Sequence, residues 1–173
     1  YADYLRRAIR DLAKLPTNDK YSIYERKPTE VDLNLPILFP DDYLPDVHTR
    51  LLLYKRIANA RTTEDLYDLQ LETLDRFGLL PEPAKSVFAV SEIKLVATRL
   101  GIEDIQLGDN GGVVKFSEHT VLDPMLLVDL IESNPNGISM GDAYTLDITE
   151  QLPLPKDKIT YMKHLLNTLQ GNQ

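Results

Sequence analysis

The sequence contains no cysteine, which excludes disulfides and thiolate metal sites and suits a reducing cytoplasm. It has no apolar run near the roughly 20 residues of a bilayer-spanning helix, and no secretory leader opens it. Cations are in deficit: 19 Lys and Arg stand against 27 Asp and Glu, a net charge of −8. Gripping nucleic acid takes clustered cations, so the chain as a whole is poorly made for that work. Histidine is scarce as well. His48, His119 and His164 lie far apart, and none has a partner three or four residues away that would complete a metal pair on one helix turn. The stretch Gly108–Gly112 lacks the Lys–Ser/Thr ending of a phosphate-cradling loop, and no GxSxG elbow offers an acyl-transfer nucleophile. These absences point to a non-catalytic role with no cofactor or metal site. What is present is 173 residues, 43% of them hydrophobic, enough for one domain with a real core and an appendage.

Leu5, Ala8, Ile9, Leu12 and Leu15 share a stripe, which predicts an amphipathic linker helix over residues 2–15. Arg6, Arg7, Arg10 and Lys14 crowd the rest of its surface. The chain begins at Tyr1, already inside this pattern, and reads as a piece of a longer protein. Residues 1–29 are then a helix and connector, and residues 30–173 the domain proper. Val31–Leu35 alternates apolar and polar, as a half-buried strand does. Three helices follow. The first is capped by Asp46 and carries Val47, Leu51, Tyr54 and Ala58 on one face. The second opens at Thr62 and closes at Phe77, with Gly78 beyond. The third runs from Pro83 to Leu100 and is apolar around most of its circumference, leaving only Lys85, Glu92 and Arg99 as a polar strip, so it is the central core helix. Ile102–Leu107 and Val113–Phe116 flank a glycine-rich turn and predict a hairpin. A short helix capped by Asp123, a strand pair at Ile138–Met140 and Tyr144–Ile148, and a last helix from Lys158 to Leu169 complete the chain. In that last helix Ile159, Met162, Leu165, Leu166 and Leu169 face inward. The order lacks strict βαβ alternation. It predicts an α+β fold: a helix-rich single domain with a small, mostly antiparallel sheet, preceded by an N-terminal linker helix.

The second helix carries the strongest chemical signal. Asp65, Asp68, Glu72 and Asp75 fall at i, i+3, i+7 and i+10, on one face. Neighbouring acids three or four residues apart repel by roughly 0.2–0.5 kcal/mol each. Asp75 also sits in the last turn, where the helix dipole prefers a cation. The i,i+4 pair Glu72–Arg76 offsets part of this. Such a face is a candidate for meeting a basic partner, and a solvated acidic surface is the plainer alternative. Two other readings belong to different classes. The stripe Arg6–Lys14, with Lys55, Arg56 and Arg61, would suit an auxiliary nucleic-acid-binding module. Asp41 and Asp42 with His48 would suit a metal-dependent hydrolase, although paired aspartates between prolines are ordinary turn residues.

The run Leu35–Pro36 with Pro40–Asp41–Asp42, the segment Pro45–Asp46–Val47 leading into Tyr54–Lys55–Arg56–Ile57–Ala58, and Asp75–Arg76–Phe77–Gly78–Leu79–Leu80–Pro81 carry a family resemblance. Joined by Leu100–Gly101–Ile102 and Gly111–Gly112–Val113, they resemble the carboxy-terminal TRCF domain of bacterial transcription-repair coupling factors over roughly residues 30 to 170, more loosely after Gly101. The resemblance implies a regulatory, non-enzymatic domain at the end of an ATP-driven DNA translocase of nucleotide excision repair. Residues 1–29 would then follow the motor, and ATP and Mg would serve that motor alone. It also implies docking in cis on a UvrB-like module, which masks the surface that binds UvrA until RNA polymerase and DNA are engaged. The domain alone would bind neither DNA strongly nor membranes. The family's acidic docking residues match Glu72 and Asp75, with Arg76 alongside; no family role falls on Asp65 or Asp68.

Overall fold

The computed structural model describes residues 27–171; the linker helix expected at 2–15 lies outside them. The fold is α+β, and the chain divides into two compact units. One is Leu35–Leu95. The other joins residues 27–34 with residues 96–171.

The helical unit holds α1 (Val47–Ala58), α2 (Thr63–Phe77) and most of α3 (Glu82–Leu100). Its core gathers Phe39, Leu53, Ile57, Leu66, Leu69 and Phe88. The Phe39 ring lies 5.1 Å from that of Tyr54 and meets Phe88 edge-on at 5.9 Å. Contacts of this kind stabilise by about 0.5–1.5 kcal/mol beyond the area they bury. Buried Leu66, Leu69 and Thr73 place one stripe of α2 inward. The central position of α3 is as expected, with Ala84, Phe88, Ile93 and Ala97 all 3% exposed or less.

The face of α1 is different from the expectation. Leu53 and Ile57 are buried, whereas Val47 and Leu51 are 56% and 62% exposed. Three consecutive leucines, 51 to 53, offer three rotations that periodicity alone does not rank. Polar tethers choose between them. The Phe39 N–H donates to the Tyr54 hydroxyl at 2.7 Å, and the Arg50 guanidinium donates to the Leu44 carbonyl at 2.9 Å while pairing with Asp41 at 2.8 Å. Anchored at positions 50 and 54, the helix turns 53 and 57 into the core.

The sheet unit carries β1 (Glu30–Asp32), β2 (Ile102–Gly108), β3 (Gly111–Phe116), β4 (Ile138–Met140) and β5 (Thr145–Ile148) in the order β1-β2-β3-β5-β4. Only β1–β2 is parallel. The two expected strand pairs therefore make one sheet, joined where β5 lies beside β3. The strand expected at Val31–Leu35 is shorter and earlier. Asn34 adopts φ 53°, its N–H bonded to the Asp32 carboxylate at 2.9 Å, and this turn ends β1. In β2, Ile102, Ile105 and Leu107 are all buried, a spacing that strict alternation forbids. A register shift between Ile102 and Asp104 inserts the extra residue that reconciles them. At Gly112 a Cβ would collide with the Gln106 carbonyl across the hairpin, so only glycine fits.

β5 begins at Thr145 because Ala143 and Tyr144 take φ 42° and 65°. They are the centre of a tight turn closed by the Thr145 N–H on the Asp142 carbonyl at 3.2 Å. α4 (Pro124–Ser133) is capped by Asp123 as expected. It packs on β4 and on α5 (Pro155–Leu169). On α5, Met162, Leu165, Leu166 and Leu169 are buried, but Ile159 is half-buried and Lys158 is 3% exposed. The Lys158 ammonium lies 2.6 Å from the Asp109 carboxylate and donates to the Asn34 carbonyl at 3.1 Å. Among the described residues no helix is long and apolar enough to cross a membrane.

Candidate docking face on the second helix

α2 starts from a complete capping box. The Thr62 hydroxyl accepts the Asp65 N–H at 3.0 Å, and the Asp65 carboxylate accepts the Thr62 N–H at 3.3 Å. The Arg61 N–H also donates to Asp65, at 3.2 Å, and the Arg61 and Thr62 bonds hold that carboxyl below the usual range. Asp65 is thus occupied in starting its own helix, and the four acids of the stripe are not equivalent. At the other end Gly78 adopts φ 88° and ψ −170°, a region essentially reserved for glycine. The Tyr43 hydroxyl donates to its carbonyl at 2.8 Å, and the Tyr43 ring meets Phe77 edge-on at 6.5 Å. Arg76 lies against the Phe77 ring, 4.8 Å from its centre.

Glu72 lies between these ends. The Arg56 guanidinium from α1 grips it as a fork: Nη1 donates to Oε2, and Nη2 donates to Oε1 at 3.1 Å. Arg76 stands on the other side, Nη1 3.7 Å from Oε2. The Arg56 hydrogen bonds hold the Glu72 carboxyl below the ordinary range, and the same bonds raise Arg56. Both side chains stay open to solvent, 48% exposed for Arg56 and 40% for Glu72. Asp75 is exposed, and among the described residues its side chain has no hydrogen-bond or ion-pair partner. Glu72, Asp75 and Arg76 therefore share one accessible surface, holding one paired carboxylate and one unpaired. The part played by Arg56 was missed in the sequence. The signal for it was the four-residue link from Ala58 to Thr63, which folds α1 back along α2.

Asp41, Asp42 and His48 do not come together as a metal site. Asp41 is engaged by Arg50, His48 is exposed at the start of α1, and among the described residues no group of three or more His, Cys, Asp or Glu is placed to hold an ion. His119 and His164 are exposed too. In the basic cluster suggested for nucleic acid, Arg56 is paired with Glu72.

A family model described as the TRCF domain matches residues 33–127. The transcription-repair-coupling factor of Escherichia coli (strain K12) is 33% identical over 172 residues, covering 99% of this chain and 15% of that protein. The Haemophilus influenzae protein of the same name is 34% identical over 140 residues, covering 81% of this chain and 12% of its own length. This chain thus spans well under a fifth of those relatives. A crystal structure of the C-terminal domain of transcription-repair coupling factor superposes with a TM-score of 0.69 at 18% identity, covering 84% of this chain and 96% of that one. It shares the fold.

Proposed function

Because this chain belongs to the TRCF domain family of transcription-repair coupling factors, we propose that it is a regulatory, non-catalytic domain acting in DNA repair through docking. Its partner is a UvrB-like module of the same protein, and the docked state masks the surface that receives UvrA. ATP-driven translocation on DNA and contact with RNA polymerase belong to other parts of the coupling factor. The observation that supports this reading is the α2 surface. Asp75 stands unpaired in a last turn whose dipole disfavours an acid, and Glu72 sits one turn before it, accessible on the same side.

The mechanism is an electrostatic latch. Arginines of the partner bind the two carboxylates through charge-assisted, bidentate hydrogen bonds. Tethering raises the local concentration to the millimolar range for short flexible linkers, so an intrinsically weak contact keeps the domain docked. Moving from about 99% docked to 99% released takes roughly 5.5 kcal/mol of differential binding, which engagement of polymerase and DNA supplies.

The test titrates the chain, wild type and Glu72→Ala/Asp75→Ala, into the separately expressed UvrB-like module at low and moderate salt. Salt-sensitive binding that disappears in the double variant is the expected result. Absence of wild-type binding at millimolar concentration sinks the latch. Affinity for DNA by the chain alone, collapsing with salt, would favour a nucleic-acid module instead.

A further inference from the structure

We propose that Arg56 is an internal competitor for the docking carboxylate: it occupies the bidentate edge of Glu72 and must be displaced when a partner guanidinium arrives. This rests on the docking reading of Glu72 and adds a residue that sets the strength and selectivity of the contact. The fork places one guanidinium nitrogen on each carboxylate oxygen. A carboxylate presents one such edge to a guanidinium, so a second arginine meets only the remaining lone pairs while Arg56 stays. Both partners are about half exposed, so the exchange needs no unfolding. Asp75 is free of that competition, which makes it the first point of contact and Glu72 the second.

The exchange also selects the chemistry of the partner. A guanidinium replacing a guanidinium restores both hydrogen bonds to Glu72. An ammonium is a point charge that leaves the second oxygen unmatched. The partner surface that succeeds at Glu72 is therefore arginine-bearing rather than lysine-bearing, and Arg56 enforces the difference by giving the carboxylate an arginine already.

The experiment compares Arg56→Gln with Lys55→Gln in the intact 173-residue chain, each titrated calorimetrically into the UvrB-like module at low salt. Lys55 is the neighbouring exposed cation on α1, and its side chain has no partner among the described residues. Both variants remove one positive charge. Release of an exposed pair predicts that Arg56→Gln tightens binding by up to about fivefold, with Lys55→Gln moving it by less than half as much. Equal tightening by the two overturns the proposal, because charge alone then explains it. Unchanged or weaker binding by Arg56→Gln overturns it too. If Glu72→Ala/Asp75→Ala abolishes binding while Arg56→Gln does not tighten it, docking stands and competition falls. If the wild type does not bind, both fall. A second readout needs no partner: carbon NMR of the Glu72 carboxyl should show its titration moving up toward the ordinary range in Arg56→Gln. An unmoved titration means the fork is not formed in solution, which overturns the proposal.

Discussion

In the sheet unit the cation Lys158 is 3% exposed, held by Asp109 and the Asn34 carbonyl. In the helical unit Arg56 grips Glu72 where both are about half exposed. Apolar groups do not divide this way: both units bury a core, Ile105, Val114 and Leu146 in one and Phe39, Ala84 and Ile93 in the other, and both leave large apolar side chains outside, Met125 at 60% and Leu51 at 62% exposure. An ion pair at the surface is weakly held and readily exchanged. Lys158 is buried although its partner Asp109 is 60% exposed, and a buried charge is costly to leave without partners. The sheet unit draws one cation, Lys158, into its interior and leaves its Lys115–Glu103 pair at the surface; the Arg56–Glu72 fork of the helical unit is open to solvent on both sides.

The contrast is broken most directly in the two interiors and exteriors. Met162 is 0% exposed, so Met162→Ala should lose about 2–5 kcal/mol in chemical denaturation. Leu51→Ala on the exterior of α1 should stay within about 0.5 kcal/mol. Comparable losses would mean that Leu51 is buried in solution. Lys158→Ala comes next. It strips a charged hydrogen bond from the Asn34 carbonyl and leaves Asp109 (60% exposed) to water, for a loss of about 1.5–3 kcal/mol. An unchanged denaturation midpoint would show that this buried cation contributes nothing net. A gain is expected at Ala143, which sits at φ 42° in the β4–β5 turn. Left-handed backbone costs a non-glycine residue about 1–2 kcal/mol, and glycine's extra freedom in the unfolded chain takes some of that back. Ala143→Gly should raise stability by about 0.5–1 kcal/mol; a decrease would show that the turn is not strained.

Much of this was legible in the sequence where one local rule decides. Asp46, Thr62 and Asp123 cap their helices as their side-chain chemistry dictates. The hairpin follows from its glycines, and the core role of α3 from apolar residues on nearly every side. Partners from far along the chain lie beyond any local rule. Lys158 is charged, and only its pairing with residues 49 and 124 positions earlier explains its burial. The inward face of α1 is set by tethers from Phe39 and Leu44, which periodicity cannot supply. At the candidate docking face, spacing shows Asp65, Asp68, Glu72 and Asp75 as one stripe and the family resemblance picks out Glu72, Asp75 and Arg76, but neither shows that the acids are unequal. Spacing along α2 makes the acids look alike, and the cap that uses Asp65 and the fork that uses Glu72 distinguish them.

The acid dependence of the Arg56–Glu72 pair is a comparably small effect. Its hydrogen bonds depress the folded-state titration of Glu72 below the ordinary glutamate value of about 4.3. A depressed carboxyl stabilises the fold fully above the unfolded value, and that contribution disappears as pH falls through the folded one. Solvent screens a pair this exposed, so at neutral pH Glu72→Gln should lower stability by no more than about 1 kcal/mol. On acidification below about pH 4.3 the wild type should converge on the variant, and taking the difference between them cancels the similar titration of Asp65. Docking should weaken over the same window, because a protonated Glu72 offers a guanidinium no charge. A wild-type-to-variant difference that persists unchanged into acid would show that Glu72 acts through packing rather than through its charge, and the contrast between an exchangeable Arg56–Glu72 fork and a buried Lys158 would then fall.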